Sequence, residues 1–253
     1  MKRESQKSEV KSQIDSGGLR VSDAKRGCGL RIKICCIASV EEAELAIANG
    51  AWAIGLVGKM PSGPGPIEDS LIAKIAEHVR GRVETFLLTS EQSARGIIEH
   101  AKRTRTTTIQ IVDRITQGSY DDLRRALPDI KLVQVIHVED ETSIDEALEA
   151  AQRVDYLLLD SGRPNLKVKE LGGTGRVHDW EISRKIRERS GVPVFLAGGL
   201  TPENVAEAVR IVEPFGVDIC SGVRTDGKLD RGKVRRFVGG IFFSGFSCHA
   251  IKK

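Results

Sequence analysis

Two side chains suited to proton transfer follow predicted β-strands in this sequence. Cys35 ends the run KIC at 33–35, and Asp160 ends the run LLLD at 157–160. Side chains alternate along a strand, so Lys33 and Cys35 share one face, where the Lys33 ammonium would favour a Cys35 thiolate. Desolvation after three leucines raises a carboxyl pKa toward neutrality, which suits Asp160 to act as a general acid. The pair predicts acid–base chemistry with Cys35 as the base or nucleophile.

These residues also have simpler explanations, which the sequence leaves open. A free cysteine is usually a small buried apolar side chain, and an Asp before Ser161-Gly162 is typical of a turn. Lys33 would suit a Schiff-base aldolase, whose lysine needs a depressed pKa from a desolvated or cationic site. However, Lys33 lies one residue too deep for easy access, below Cys35, which argues against an aldolase.

Glycine-containing turns follow the last two predicted strands, with the sequences AGGLT at 197–201 and CSGV at 220–223. In α/β barrels the loops after strands seven and eight commonly bind phosphate through backbone N–H groups and a helix N-terminus. The two turns together predict a phosphorylated small-molecule ligand. The candidate phosphate-binding residues are Gly198, Gly199, Ser221 and Gly222.

The elements that position these residues alternate regularly along the chain. Eight runs rich in β-branched residues predict strands at 31–36, 52–57, 83–88, 107–112, 132–138, 155–159, 194–197 and 217–220. Segments with helical spacing predict helices at 40–49, 68–79, 91–103, 120–127, 144–153, 180–189, 202–212 and 230–237. Eight such units predict an α/β protein with a single closed (β/α)8 TIM barrel. An open doubly wound sheet is disfavoured because CCIA, and no glycine-rich dinucleotide turn, follows the first strand.

Residues typical of helix starts support these predicted helices. Ser39 is followed three residues later by Glu42, as in a capping box. Ser90 and Ser143 precede the third and fifth helices, and Thr201-Pro202 would place proline first in the seventh.

The same pattern predicts the domain boundaries. The barrel spans 30–240, after a disordered polar extension over 1–29 and before a C-terminal tail over 241–253. The long connection after the sixth strand contains LGGTGR at 171–176, and such a loop in a compact domain predicts a lid or a ligand-binding loop.

Composition narrows the class of protein. The 253 residues are 40% hydrophobic and carry a net charge of +4, which fits a single globular domain. No stretch reaches ~20 apolar residues, and no signal peptide precedes the barrel, so no membrane partner is expected. The basic N-terminus has no interleaved aromatic residues, so nucleic acid is not expected as a partner. Five cysteines without metal-ligand spacing predict no metal site and a reduced, cytoplasmic location.

Four sequence motifs, taken in order and spacing, resemble those of one enzyme family. KIC, LLLDS followed by GGTGRVHDW, LAGGLTPENV, and VDICSGVRTDGKLD occur in the order and spacing of phosphoribosylanthranilate isomerase, over residues 31–237. The resemblance implies a TIM-barrel enzyme of tryptophan biosynthesis, a monomer or homodimer, that needs no metal or organic cofactor. It implies the Amadori rearrangement of N-(5-phosphoribosyl)anthranilate to 1-(2-carboxyphenylamino)-1-deoxyribulose 5-phosphate.

The resemblance also implies residue roles by matched position. Cys35 in KIC matches the general base, and Asp160 in LLLDS matches the general acid. The phosphate cradle matches Gly198, Gly199, Ser221 and Gly222. Asp218 matches a residue near the anthranilate end of the substrate, and we expect Lys33 to help bind the substrate.

Three positions depart from the family pattern. Cys36 stands where the family has a glycine, MPSGPGP at 60–66 replaces a Ser-x-Arg motif, and QIVD at 110–113 lacks the histidine of a QLHG-like run. All three lie in the half of the barrel that would hold the anthranilate and sugar. His137 and Arg224 would help to define an altered pocket, and Arg114, Arg163 or Arg176 would supply the missing charge. The sequence therefore leaves two alternatives, an isomerase or lyase for another phosphorylated sugar and a non-catalytic phosphate-binding barrel.

Overall fold

Eight parallel strands and eight helices form one closed barrel in the computed structural model, which describes residues 29–162 and 177–243. The strands, in hydrogen-bonded order around the barrel, are β1 Arg31–Ile34, β2 Ala53–Val57, β3 Glu84–Thr89, β4 Thr108–Ile111, β5 Lys131–His137, β6 Tyr156–Asp160, β7 Val194–Leu196 and β8 Gly216–Ile219. The helices are α1 Val40–Ala48, α2 Asp69–His78, α3 Ala94–Thr104, α4 Tyr120–Ala126, α5 Thr142–Ala151, α6 Trp180–Arg189, α7 Val205–Val212 and α8 Arg231–Phe243. The predicted (β/α)8 barrel is confirmed.

A short antiparallel ribbon is added between β8 and α8. A turn of 3₁₀ helix, Ser221–Val223, leads into β9 Arg224–Thr225, which pairs with β10 Lys228–Leu229. Helix α8 continues to Phe243, beyond the predicted end of the barrel at 240. Of the predicted N-terminal extension, residues 1–28 lie outside the described residues, as do residues 244–253 of the tail.

Several helices begin elsewhere than the sequence predicted. Ser39 does cap α1, accepting the Glu42 N–H at 3.2 Å. Ser90 does not start α3, because its hydroxyl donates to the Lys59 carbonyl and Ser93 is the cap instead.

The expected start of α7 at proline is also wrong. Thr201 donates its N–H to Asn204 Oδ1 at 2.8 Å, which forms a turn over 201–204 and delays the helix to Val205. Helix α5 starts at Thr142, so Ser143 lies inside it, where its hydroxyl accepts the Glu139 N–H.

Alternate strand residues separate the core into two layers. In β1, Ile32 and Ile34 face outward and pack with the helices. Cys35, just past the end of β1, packs in the barrel interior with residues such as Leu158 and Ala197. Five aromatic side chains pack in and around the interior, mostly edge to face: Trp52, Phe86, Tyr156, Phe195 and Phe215. Nearer the carboxyl ends of the strands, the inward-facing side chains are smaller or polar, such as Cys35, Gln110 and Asp160.

The seam between the first and last strands carries a buried ion pair. Lys33 and Asp218 are register partners of β1 and β8, and Lys33 Nζ lies 2.8 Å from Asp218 Oδ2. Lys33 is completely buried. Burial alone would lower the pKa of Lys33, but the charges of Asp218 and Cys35 outweigh it and raise the pKa. Lys33 therefore stays protonated and holds the seam as an ammonium–carboxylate pair.

We expect Lys33→Met to lower the free energy of unfolding by about 3–5 kcal/mol, because it leaves the Asp218 carboxylate buried without its partner. Chemical denaturation of both proteins measures the difference. Arg95→Met is the matched control, since its ion pair with Glu99 is exposed and contributes at most about 0.5 kcal/mol. Equal losses in the two variants would contradict a structural role for the seam pair.

Candidate active site

One cavity lies at the carboxyl ends of the strands and collects most of the predicted site residues. Cys35, Asp160, Asp218, Gly198, Gly199 and Ser221 all line it. Their neighbours around the wall are Cys36, Val57, Met60, Ser62, Gly63, Pro64, Leu88, Gln110, Val112, Leu158, Ala197, Leu200, Ile219 and Cys220. Lys33 lies beneath this wall and contributes through its bond to Asp218. The arrangement places a thiol, two carboxyl groups and two glycine-containing turns around one ligand-sized space.

Cys35 is buried against β2, in a space that a glycine leaves open. Its N–H donates to the Ile219 carbonyl at 2.8 Å, which ties the end of β1 to β8. A methyl group built on Gly55 would lie 2.6 Å from Cys35 Sγ and 3.1 Å from Lys33 Nζ. Gly55 therefore determines where the thiol sits. Sequence reasoning missed it, and the only available signal was a glycine inside a predicted strand.

Asp160 ends β6, three strands around the barrel from β1. Burial raises the pKa of its carboxyl group, although His137 and the Ser161 N–H oppose the shift. Asp160 Oδ1 also accepts the Ser161 N–H at 2.8 Å. The turn-forming role and the role of a general acid are thus compatible, because one oxygen holds the turn while the raised pKa favours the protonated form.

The two predicted phosphate turns lie next to each other at the cavity edge. Gly198 and Gly199 have φ values of +78° and +62°, a conformation that a side chain would disfavour, and a methyl group on Gly198 would meet the Ser161 N–H at 2.9 Å. Ser221 begins the 3₁₀ turn after β8 and lines the cavity. Gly222 does not line it and instead packs closely against the Leu200 carbonyl, which joins the two turns.

Cys36, at a position where the family resemblance predicts a glycine, has the backbone conformation that favours glycine, with φ of +61°. Its side chain is buried, and its Sγ lies 2.6 Å from the Sγ of Cys220. The same thiol contacts the Pro64 carbonyl in the loop after β2 at 3.5 Å. Cys36 thus fills the corner between the loops that follow β1, β2 and β8.

An arginine from β9 fixes the loop that carries both cysteines. Arg224 donates to the carbonyl oxygens of Cys35 and Cys36, and its two terminal nitrogens each lie 3.1 Å from a Glu42 oxygen. Glu42 also accepts the N–H groups of Ala38 and Leu229. The sequence suggested Arg224 as part of an altered pocket, but in the structure it holds the loop of the predicted base.

The half of the cavity opposite the phosphate turns is largely apolar. Met60 and Val112 line this half, and both lie in the segments where the family resemblance predicts an arginine motif and a histidine. Gln110, only 3% exposed, lines this wall, and its Oε1 has no hydrogen-bond partner among the described residues. The same holds for Asp218 Oδ1. These two oxygens can accept hydrogen bonds from ligand hydroxyl or amine groups.

The other residues proposed for an altered pocket lie apart from the cavity or outside the described residues. Arg114 forms an exposed ion pair with Glu146 at 2.9 Å. His137 Nε2 bonds to the Val112 carbonyl at 3.1 Å and does not line the cavity. Arg163, Arg176 and the segment 171–176 lie outside the described residues. Among the described lining residues, none is a lysine or an arginine.

Comparisons with known proteins identify the family. A family model described as N-(5'-phosphoribosyl)anthranilate (PRA) isomerase matches residues 32–239. The chain belongs to the phosphoribosylanthranilate isomerase family. The prediction of an isomerase from four strings in register is thereby confirmed.

Relatives and solved structures agree with this phosphoribosylanthranilate isomerase assignment. N-(5'-phosphoribosyl)anthranilate isomerase 2 of Methanosarcina mazei is 39% identical over 211 residues, which are 83% of this chain and 92% of the relative. The phosphoribosylanthranilate isomerase of Thermotoga maritima superposes with a TM-score of 0.71 at 26% identity, over 85% of this chain and 99% of its own. A complex of such an enzyme with reduced 1-(o-carboxyphenylamino)-1-deoxyribulose 5-phosphate superposes with a TM-score of 0.68 at 25% identity, with the same coverage.

No cluster of three or more His, Cys, Asp or Glu side chains is placed to hold a metal ion within 29–162 and 177–243. Over the same residues, no helix combines the length and apolar character that a membrane crossing needs.

We expect Gly55→Ala to lower kcat by up to about 100-fold with little change in KM, because the added methyl displaces Cys35 Sγ. Steady-state kinetics measure the effect. In a Cys35→Ser background the same substitution should cause little further loss, since its target is gone. Equal losses in both backgrounds would show that Gly55 acts elsewhere.

We expect Asp160→Asn to unfold at a higher temperature than the wild type near neutral pH. A carboxyl group whose folded-state pKa is raised costs stability above its ordinary pKa of about 3.9, and this cost grows until the pH exceeds the folded-state pKa. The amide keeps the acceptor for the Ser161 N–H and does not titrate. The difference should therefore vanish as the pH falls below about 4.

Thermal unfolding across this pH range tests the sign. Asp140→Asn is the opposite control, because hydrogen bonds from Thr142 lower the pKa of the exposed Asp140. That variant should be the less stable protein at neutral pH. An Asp160→Asn protein that is less stable than wild type at neutral pH would refute the burial of an unfavoured charge.

Proposed function

We propose that this chain catalyses the Amadori rearrangement of N-(5-phosphoribosyl)anthranilate to 1-(2-carboxyphenylamino)-1-deoxyribulose 5-phosphate. The observation that carries the proposal is the cavity that Cys35, Asp160 and the two glycine-containing turns share. The family match supplies the class of reaction, and the complex of a related enzyme with a reduced product analogue supports the substrate.

The phosphate end of the substrate is bound by the turns after β7 and β8. Gly198, Gly199 and Ser221 line the cavity edge, and Ser221 begins the 3₁₀ turn after β8. Gly222 keeps the two turns in contact through Leu200. A bound phosphate orients the ribose between β6 and β1, with the ring oxygen toward Asp160 and C2′ toward Cys35.

The reaction then needs one proton donor and one acceptor. Asp160, with its raised pKa, donates a proton to the ribose ring oxygen, and the C1′–O bond breaks to give a protonated Schiff base. Cys35 as the thiolate removes the C2′ proton, and the electron pair of that C–H bond forms the enolamine. Tautomerisation gives the aminoketose, with no net gain or loss of atoms. Lys33 lies below Cys35, where its ammonium group is paired with Asp218.

The anthranilate end lies against the apolar half of the cavity. Met60 and Val112 offer apolar contacts to the aromatic ring, and Gln110 Oε1 and Asp218 Oδ1 accept hydrogen bonds from the sugar hydroxyl and anilino N–H groups. A related reaction on another phosphorylated aminosugar is the second candidate. It is favoured by the absence of a cation among the described lining residues, because anthranilate carries a carboxylate.

We further propose that the enzyme is cytoplasmic and acts as a monomer or homodimer on its phosphorylated substrate. A cysteine base must stay reduced to work, and the cytoplasm keeps thiols reduced. A related isomerase from Thermotoga maritima is described as a dimer from which monomers were generated.

A fluorescence assay of purified protein with freshly made phosphoribosylanthranilate tests the function. We expect Cys35→Ser and Asp160→Asn each to lower kcat by about 100-fold to 10,000-fold, because each removes one proton-transfer group. Asp140→Asn is the matched control for removal of a carboxylate and should turn over like wild type. Ribose 5-phosphate should compete with the substrate if the phosphate turns bind it.

Three outcomes distinguish the alternatives. Turnover that collapses in both variants supports the isomerase and its acid–base pair. Folded wild-type protein that binds ribose 5-phosphate but leaves phosphoribosylanthranilate unchanged would indicate the second candidate. Turnover that survives both substitutions would refute the assignment of Cys35 and Asp160.

A further inference from the structure

Three of the cysteines lie together in the described part of the chain, and the proposed reaction uses only one. Cys35 and Cys36 are buried, while Cys220 is partly exposed to the cavity. The two unused thiols lie 2.6 Å apart, measured from Cys36 Sγ to Cys220 Sγ, and Cys36 also interacts with Cys35. Since a disulfide has an S–S distance of about 2.05 Å, bonding them requires a movement of only about half an ångström.

The backbone around the pair is arranged to keep the thiols together. Cys36 is held with φ of +61°, a conformation that is unfavourable for a non-glycine residue. The Arg224 guanidinium bonds to the Cys36 carbonyl and thereby fixes this conformation. Strain of this kind persists only where the surroundings impose it, so the position of the Cys36 thiol follows from the structure around it.

We propose that Cys36 and Cys220 form a reversible oxidation site, in which peroxide converts the two thiols into a disulfide at the cavity wall and leaves Cys35 reduced. The proposal goes beyond the isomerase reaction, and its chemical test does not depend on that activity. Peroxides are the class of oxidant that the site takes, and a dithiol reductant restores the thiols.

The chemistry balances in two steps. The Cys220 thiolate attacks one peroxide oxygen, an S–O bond forms, the O–O bond breaks, and the leaving hydroxide takes a proton to become water. The Cys36 thiol then attacks the sulfenic sulfur, the S–S bond forms, and a second water leaves with the Cys36 proton. Two thiols and one hydrogen peroxide thus give one disulfide and two waters, with the sulfurs losing two electrons.

The surroundings assign the two roles. Contact with Cys36 and the charge of Arg224 lower the pKa of Cys220, although burial and the nearby Asp218 oppose them. The contact with Cys220, followed by Cys35 and burial, raises the pKa of Cys36. Cys220, partly exposed and more readily ionised, meets the oxidant first, and Cys36 is the neighbour that resolves it.

The experiment uses full-length protein with Cys28→Ser and Cys248→Ser, so that only the three cavity cysteines remain. The protein is treated with hydrogen peroxide, and the remaining free thiols are then blocked. One disulfide lowers the intact mass by about 2 Da, apart from the mass that blocking adds, and only one of the three thiols should carry a blocking group. Non-reducing trypsin digestion should then yield peptide 34–59 linked to peptide 211–224. Dithiothreitol should release both peptides.

Single substitutions in this background identify the partners, because Cys35 and Cys36 share one tryptic peptide. Cys36→Ser and Cys220→Ser should each lower the yield of linked peptide by at least about tenfold, whereas Cys35→Ser should retain it. Cys36→Gly is a second variant that removes the thiol and suits the backbone conformation. Circular dichroism confirms that each variant is folded.

Two results would overturn the proposal. One is a linked peptide that disappears in Cys35→Ser and persists in Cys36→Ser, because the oxidised pair would then include the proposed base. The other is oxidation of Cys220 to the sulfinic acid without any linked peptide, because Cys36 would then not act as its partner.

Discussion

The ion pair between Lys33 and Asp218 is the constraint on which the site depends. It joins the first and last strands at one level of the barrel interior, with a buried ammonium and a carboxylate that has one oxygen left for the cavity. Because side chains alternate along a strand, the next inward residues above the pair are Cys35 and Cys220. The Lys33–Asp218 pair therefore forms the bottom of the cavity and places a positive charge directly beneath Cys35, the proposed base.

The closed barrel of parallel strands explains how residues far apart in the chain serve one reaction. Lys33 and Asp218 are 185 positions apart, yet strand pairing makes them register neighbours. Every strand ends at the same rim, so the acid on β6 and the turns after β7 and β8 reach the cavity without long side chains. Short residues such as cysteine, aspartate, serine and glycine are sufficient there because the backbone already brings them together.

The sequence predicted the parts of this arrangement that follow from local pattern. Alternation and strand order identified the barrel, and the ends of its strands identified Cys35, Asp160 and the glycine-containing turns. Contacts between distant segments carry no such pattern, so Gly55 and the loop clamp of Arg224 were not found. The same reason explains α7, where the bond from Thr201 to Asn204 overrides the usual preference for an early proline.

The clamp of Arg224 on the loop after β1 also bears on how the enzyme is made. Glu42 and Arg224 are 182 residues apart, a length that a ribosome takes about 10–40 s to synthesise. During that interval the nascent chain already carries Cys35 but lacks the guanidinium that fixes its loop and the carboxylate that pairs with Lys33. Cys35 thus leaves the ribosome well before the residues of β8 and β9, and its surroundings are complete only when the eighth strand closes the barrel.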